Sequence, residues 1–218
     1  VYEEEFSKAE YFDWSADSKK IAFIRFDESE VPEFSMSIFQ KELYPKVETF
    51  KYPKAGEKNA VVSLHIYDVA SQAKKDVNLG NYSDFYIARM QWTNDANVLS
   101  AQVLNRHQDN LDLLFIDGTT AAAKVVLNEK DKAYIDVTDN LTFLKDNSFI
   151  WTSEKDGFNH IYLYDKTGKL INQVTKGNWE VTNYYGFDEK TKTIFYQSVE
   201  NGSINRDIYR IGLDGKNK

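Results

Sequence analysis

Cysteine is absent from the 218 residues. Disulfides, thiolate metal sites and a cysteine nucleophile are excluded with it. Basic charge is in deficit, 27 Lys and Arg against 34 Asp and Glu, which leaves a net charge of −7. Phosphate recognition needs a basic stripe, so no nucleic-acid partner is expected. No run approaches the roughly 18 apolar residues of a membrane-crossing helix, and no membrane span is expected in the chain. The three histidines, His65, His107 and His160, lie far apart and form no closely spaced ligand pair, so neither a metal nor another cofactor is expected. No Gly-x-Ser-x-Gly elbow and no phosphate-cradling glycine loop occurs, so no catalytic residue is expected in the chain itself. The sequence opens at Val1 directly into a charged segment, with no positively charged or apolar leader region. It reads as a piece of a longer protein, with any export signal upstream.

What is abundant is aromatic: 14 Tyr, 14 Phe and 4 Trp, far more than a disordered chain carries. Short segments rich in β-branched and aromatic residues recur, among them 21–26, 61–67, 111–116 and 160–164. Between them stand turn formers such as Asn94-Asp95, Asp117-Gly118, Asp165-Lys166-Thr167-Gly168 and Asp214-Gly215. No long segment keeps a helical apolar stripe, and one short helix is expected near Glu3 to Glu10. The chain reads as all-β.

A repeat appears when the turns are aligned. Trp14, Trp92, Phe143 and Phe187 each precede a turn and a strand, at separations of 78, 51 and 44 residues. Most units run on to a strand closing in an apolar or aromatic pair and then aspartate: Ile66-Tyr67-Asp68, Phe115-Ile116-Asp117 and Leu163-Tyr164-Asp165. Spacings near 40–50 residues suit the four-stranded blade of a β-propeller. The expected architecture is therefore a partial β-propeller of about four four-stranded blades spanning residues 1–218, a plain β-sandwich being the alternative. The longest spacing implies an insertion at about 27–59, which holds all 3 prolines and the aromatics Phe34, Phe39, Tyr44, Phe50 and Tyr52. Proline cannot donate to a ladder, so the stretch should leave its blade as an extended arm. Its aromatics either pack back onto the blade or meet a second subunit.

One polar cluster stands out, Tyr2-Glu3-Glu4-Glu5-Phe6. Three adjacent acids suit a solvated helix start, where the macrodipole favours them. Alternatively two of them, about 100° apart around a short helix, flank one cation.

Several runs together resemble the dipeptidyl peptidase IV family. They are Val1-Tyr2-Glu3-Glu4-Glu5, Trp14-Ser15, and Phe26-Asp27-Glu28-Ser29-Glu30-Val31-Pro32. Tyr52-Pro53-Lys54-Ala55-Gly56 with Asn59, Ser153-Glu154 with Gly157 and His160-Ile161-Tyr162, and Thr175-Lys176-Gly177-Asn178-Trp179-Glu180-Val181 follow in the same order. The resemblance covers nearly the whole chain. It implies an eight-bladed propeller, of which this chain would be the blades from the middle of the ring onward, capped by an α/β-hydrolase domain beyond Lys218 that supplies serine, aspartate and histidine. It places the family's paired glutamates at Glu4 and Glu5, where they would hold the free amino group of a peptide substrate cleaved after its second residue, Pro or Ala preferred. It implies that the arm at 27–59 contributes to a homodimer, with Phe34, Phe39, Tyr44 and Tyr52 as candidate contacts. The animal members are cysteine-rich in this region, so this chain fits an exported, periplasmic bacterial member. A non-enzymatic propeller binding a protein or glycan is the competing expectation.

Overall fold

The computed structural model describes residues 2–218, the side chains of Glu3 and Glu4 lying outside the description. After one helical turn, α1 (Tyr2–Phe6), the regular elements of the described chain are all antiparallel β-strands. Sheet 1 holds β1 (Phe12–Trp14), β2 (Lys20–Asp27), β5 (Val61–Asp68) and β6 (Ala73–Asp76), in that spatial order. Between β2 and β5 the chain departs into a separate two-stranded ribbon, β3 (Glu33–Ile38) with β4 (Lys46–Lys51). Sheet 2 is the meander β7 (Phe85–Trp92), β8 (Val98–Asn105), β9 (Asn110–Asp117) and β10 (Ala123–Lys130). Sheet 3 is β11 (Thr142–Phe143), β12 (Phe149–Ser153), β13 (His160–Tyr164) and β14 (Leu170–Gln173). Sheet 4 has three strands among the described residues, β15 (Val181–Asp188), β16 (Thr193–Ser198) and β17 (Asp207–Gly212), where four are expected from the repeat.

The aromatic markers of the repeat occupy equivalent places. Trp14, Trp92 and Phe143 each end the first strand of a sheet, and Phe187 lies one residue from the end of β15. Each faces the start of the next strand, as in the pairs Trp14 with Ile21 and Trp92 with Leu99. The aspartates that close the third strands build the turn into the fourth. Asp68 accepts from the Ser71 backbone N–H at 2.8 Å, Asp117 from Thr119 at 2.9 Å, and Asp165 from Thr167 at 2.8 Å and Lys169 at 3.0 Å. A short carboxylate that takes the orphan N–H groups of a tight turn explains why this residue recurs.

Successive sheets are stitched at their first strands. The Trp92 indole N–H donates to the Asp13 carbonyl at 3.1 Å, and the Asn94 side chain donates to the Leu144 carbonyl at 2.7 Å. Sheet 3 buries both faces, following the period-two rule of strands. Phe149, Trp151, Tyr162 and Tyr164 join the larger core shared with sheets 1 and 2, while Ile150, Ile161 and Leu163 join a smaller core with Val181, Ile194, Tyr196 and Ile211 of sheet 4.

The N-terminal helix is shorter than the 3–10 span expected. Ser7 adopts φ of 51°, a left-handed conformation that ends the turn. Five residues cannot hold a helix by hydrogen bonding alone, so packing must hold it. Tyr2 and Phe6, four apart and therefore on one face, are buried at 6% and 4% exposure. Their rings join Tyr11, Phe26 and Tyr86 in an edge-packed cluster, Tyr2 lying 4.7 Å from Phe26 and Phe6 lying 5.2 Å from Tyr86.

Candidate functional site

The helix that carries the acidic cluster is fixed by one hydrogen bond of particular geometry. Between Ile87 and Arg89 the pairing of β7 with β8 slips at a bulge, and the Ile87 N–H is directed to the Tyr2 hydroxyl at 3.0 Å. Burial, together with the nearby Tyr86 and Tyr11 hydroxyls, drives the Tyr2 phenol well above its ordinary range despite the Ile87 contact, so it stays neutral. Tyr2 thus pins α1 to sheet 2.

Glu5 is exposed at the end of this helix. Its carboxylate accepts from the Gln108 side-chain amide, and the Gln108 carbonyl oxygen accepts from the Tyr134 hydroxyl at 3.1 Å. Gln108 stands in the β8–β9 turn at φ of 56°, and its backbone carbonyl accepts the Ile135 N–H at 2.8 Å. Three segments distant in sequence therefore meet at one amide. Beside it Arg106 bridges to Asp84 at 3.2 Å and donates to the Glu57 carbonyl at 2.6 Å, tying the base of the insertion to the same turn. No cationic side chain reaches the Glu5 carboxylate among the ion pairs of the described residues. Glu4, the other expected clamp residue, has its side chain outside the described residues.

Tyr134 also borders a cleft of about 510 Å³ between sheets 2 and 3, whose lining includes Glu129, Asp131, Asp136, Glu154, Lys155 and Tyr164. The cleft is acid-rich. Partial burial, then the charges of Asp136, Glu180 and Asp131, push the Glu154 carboxyl above the usual carboxylate range. Burial pushes Glu129 the same way, opposed by hydrogen bonds from Ser153 and from the Trp151 indole at 3.0 Å. Two lysines, Lys130 and Lys155, also line the cleft; Lys155 lies 3.9 Å from the Tyr162 ring centroid and donates to the Tyr164 hydroxyl. Burial lowers its affinity for the proton. Negative charge in this neighbourhood is only partly neutralised, and an incoming ammonium would be attracted to it.

The arm aromatics separate into two groups. Phe34 and Tyr52 join Phe50 at the base of the ribbon, with ring centroids 5.9–6.1 Å apart. Phe39 and Tyr44 stand at its tip, 80% and 77% exposed beside Leu43 and Val47. The histidines are dispersed. His65 is held by Ser63 at 2.8 Å and Asp76 at 2.7 Å, His160 by Thr175 at 3.1 Å and the Gly177 carbonyl at 3.0 Å, and His107 is exposed. Among the described residues no three His, Cys, Asp or Glu side chains converge as metal ligands would. Gln108 and Tyr134 have no signal in the sequence that foretells their place beside Glu5, since a sheet register and a left-handed turn bring them there.

The chain matches the dipeptidyl peptidase IV N-terminal region across residues 1–218. The crystal structure of Porphyromonas gingivalis dipeptidyl peptidase 4 superposes with a TM-score of 0.93 at 44% identity, over 99% of this chain and 31% of that one. Among curated relatives, a "Probable dipeptidyl-aminopeptidase B" of Phaeosphaeria nodorum is 31% identical over 100% of this chain and 27% of its own length. Dipeptidyl peptidase 4 of Trichophyton equinum is 28% identical over 98% of the chain and 29% of its own. This sequence thus spans under a third of the relatives it matches. With an all-β fold of antiparallel sheets that follows the bacterial enzyme's N-terminal part and a family match running end to end, the chain belongs to the dipeptidyl peptidase IV N-terminal region family.

Proposed function

We propose that this chain is the substrate-gating propeller portion of a dipeptidyl peptidase IV-like serine exopeptidase, and that Glu4 and Glu5 hold the substrate's N-terminal ammonium. Its four sheets are consecutive blades of a larger ring, and the catalytic serine, acid and histidine come from a hydrolase domain elsewhere in the complete protein. The observation that carries the reading is Glu5: a carboxylate on a pinned helix, steadied by a neutral amide and with no cation paired to it among the described residues, in a chain that matches the family throughout.

The physics of the selection is a ruler. An extended residue spans at most about 3.3–3.6 Å, so fixing the ammonium fixes which peptide bond reaches a distant nucleophile. An α-amino group titrates near 7.7–8.0 in model peptides, and carboxylate neighbours raise that value and keep it charged. The Gln108 amide orients Glu5 without neutralising it, which leaves its charge available to the substrate. Dipeptides of the Xaa-Pro and Xaa-Ala type are the expected products. The exposed apolar tip at Phe39 and Tyr44, with the ring cluster of Phe34 and Tyr52 at its base, supports a homodimer contact through the 27–59 arm. The bacterial structural relative supports a bacterial source, and an exported, periplasmic setting is part of the same proposal.

The test is Glu5→Ala, and separately Glu4→Ala, in the full-length enzyme, read as kcat/KM on Gly-Pro substrates. Removing one partner of a desolvated ion pair costs a few kcal/mol, so a loss of about 100-fold is expected with melting unchanged. A loss below about threefold overturns the clamp. Tripeptide release in place of dipeptide release would retain the peptidase and change the ruler.

A further inference from the structure

Sheet 4 carries a second arrangement suited to an amine, away from the acidic helix. Trp179, Tyr196 and Tyr209 form a row of stacked rings, with centroids 6.4 Å and 5.5 Å apart and interplanar angles of 9° and 22°. The Lys218 ammonium lies 5.6 Å from both outer rings and pairs with a Glu200 carboxylate oxygen. Three oxygens there have no hydrogen-bond partner among the described residues: the Tyr196 hydroxyl, Ser198 Oγ and the second Glu200 oxygen. Tyr196 and Ser198 are both 0% exposed and, two apart on β16, share one face of the strand. Buried polar atoms are nearly always paired, so unpartnered oxygens at Tyr196, Ser198 and Glu200 mark a place with capacity for further donors.

We propose that Trp179, Tyr196, Tyr209 and Glu200 form a recess for a primary ammonium group, and that the Lys218 side chain is its occupant. The ring faces supply the negative side of their quadrupoles and Glu200 supplies the counter-charge. A primary ammonium has three N–H donors, and the Lys218 ammonium directs one of them at the Glu200 oxygen it meets. A quaternary ammonium fits the rings equally well but brings no donor to the Glu200 oxygen, so the recess discriminates by donors rather than by charge. Occupied, it straps the segment after β17 back onto sheet 4.

Lys216 is the internal reference, two residues away with a side chain 79% exposed against 39% for Lys218. In the complete protein, amine acylation followed by mass spectrometry should modify Lys218 about fivefold or more slowly than Lys216, and Glu200→Gln should bring the two rates together. Equal rates in the unsubstituted protein overturn the proposal. A second readout uses Lys218→Met, which removes the resident ammonium. Methylammonium should then change Trp179 fluorescence saturably, with Trp179→Phe as the blank, while tetramethylammonium should not. The methylammonium response should vanish in the Lys218→Met, Glu200→Gln double variant. A response to both cations alike, or one that survives loss of Glu200, also overturns it.

Discussion

Replacing Tyr2 by Phe isolates a single oxygen atom. The ring keeps its contacts with Phe6, Phe26 and Tyr86, while the acceptor for the Ile87 N–H disappears. Ile87 is 0% exposed and sits at the bulge where β7 and β8 slip, so the ladder provides no substitute acceptor and water has no access. A buried donor left unsatisfied costs about 1–3 kcal/mol, well above the net worth of an average hydrogen bond. For a domain of this length each kcal/mol shifts melting by about 2–4 °C, so a drop of roughly 2–12 °C is expected. Urea denaturation should show a lower midpoint at unchanged slope, because the surface exposed on unfolding is the same. Tyr44→Phe, at a hydroxyl on a residue 77% exposed, is the control and should change nothing measurable. The substitution also frees α1, which carries Glu5, so under the proposed clamp the full-length protein should show a raised KM along with the loss of stability. A melting change under about 1 °C would refute the reasoning, since it would mean that the bulge satisfies its own N–H.

Other outcomes follow from the turns. Gly168 has φ of +89°, and a Cβ there would stand 1.7 Å from the Val126 carbonyl oxygen, whereas Gly157, at φ of +99°, has open space around it. Gly168→Ala should therefore cost about 3 kcal/mol or more, and Gly157→Ala only the backbone strain of about 1 kcal/mol, a difference that paired thermal melts will resolve. Ser and Thr hydroxyls, then backbone N–H groups, hold the carboxyls of Asp17, Asp68, Asp146, Asp165 and Asp188 below the ordinary aspartate range; at Asp117 the Thr120 N–H is the main cause. Folded values below the unfolded one give stability that is complete above about pH 4 and fades as pH falls through the folded values. Melting temperature should be flat with respect to these groups at neutral pH and decline below pH 4; a decline that begins near pH 6 would assign acid sensitivity to other residues.

The repeat was legible because it rests on local chemistry. An aromatic before a turn and an aspartate after a strand each do their work within a few residues, and Trp92 and Asp117 sit where that pattern puts them. The separate ribbon is likewise foreshadowed by prolines that a central strand would reject. Local patterns did not reach further. The helix stops at Phe6 because Ser7 turns left-handed, and nothing in Ser-Lys-Ala-Glu announces that. The arm aromatics look alike in sequence, yet Phe34 and Tyr52 pack together while Phe39 and Tyr44 stand free, a division set by ribbon register. Gln108 and Tyr134 reach Glu5 only through contacts 103 and 26 residues long in sequence, which no spacing rule encodes.

The third sheet has a consequence for how damage spreads. Its central hairpin serves two apolar compartments that share no buried side chain, Trp151 and Tyr162 looking one way and Ile150 and Ile161 the other. Opening the smaller compartment leaves the larger one with its rings in place. Loss of the hairpin between them empties both, so the short run from Phe149 to Tyr164 is the partition whose integrity everything on either side inherits.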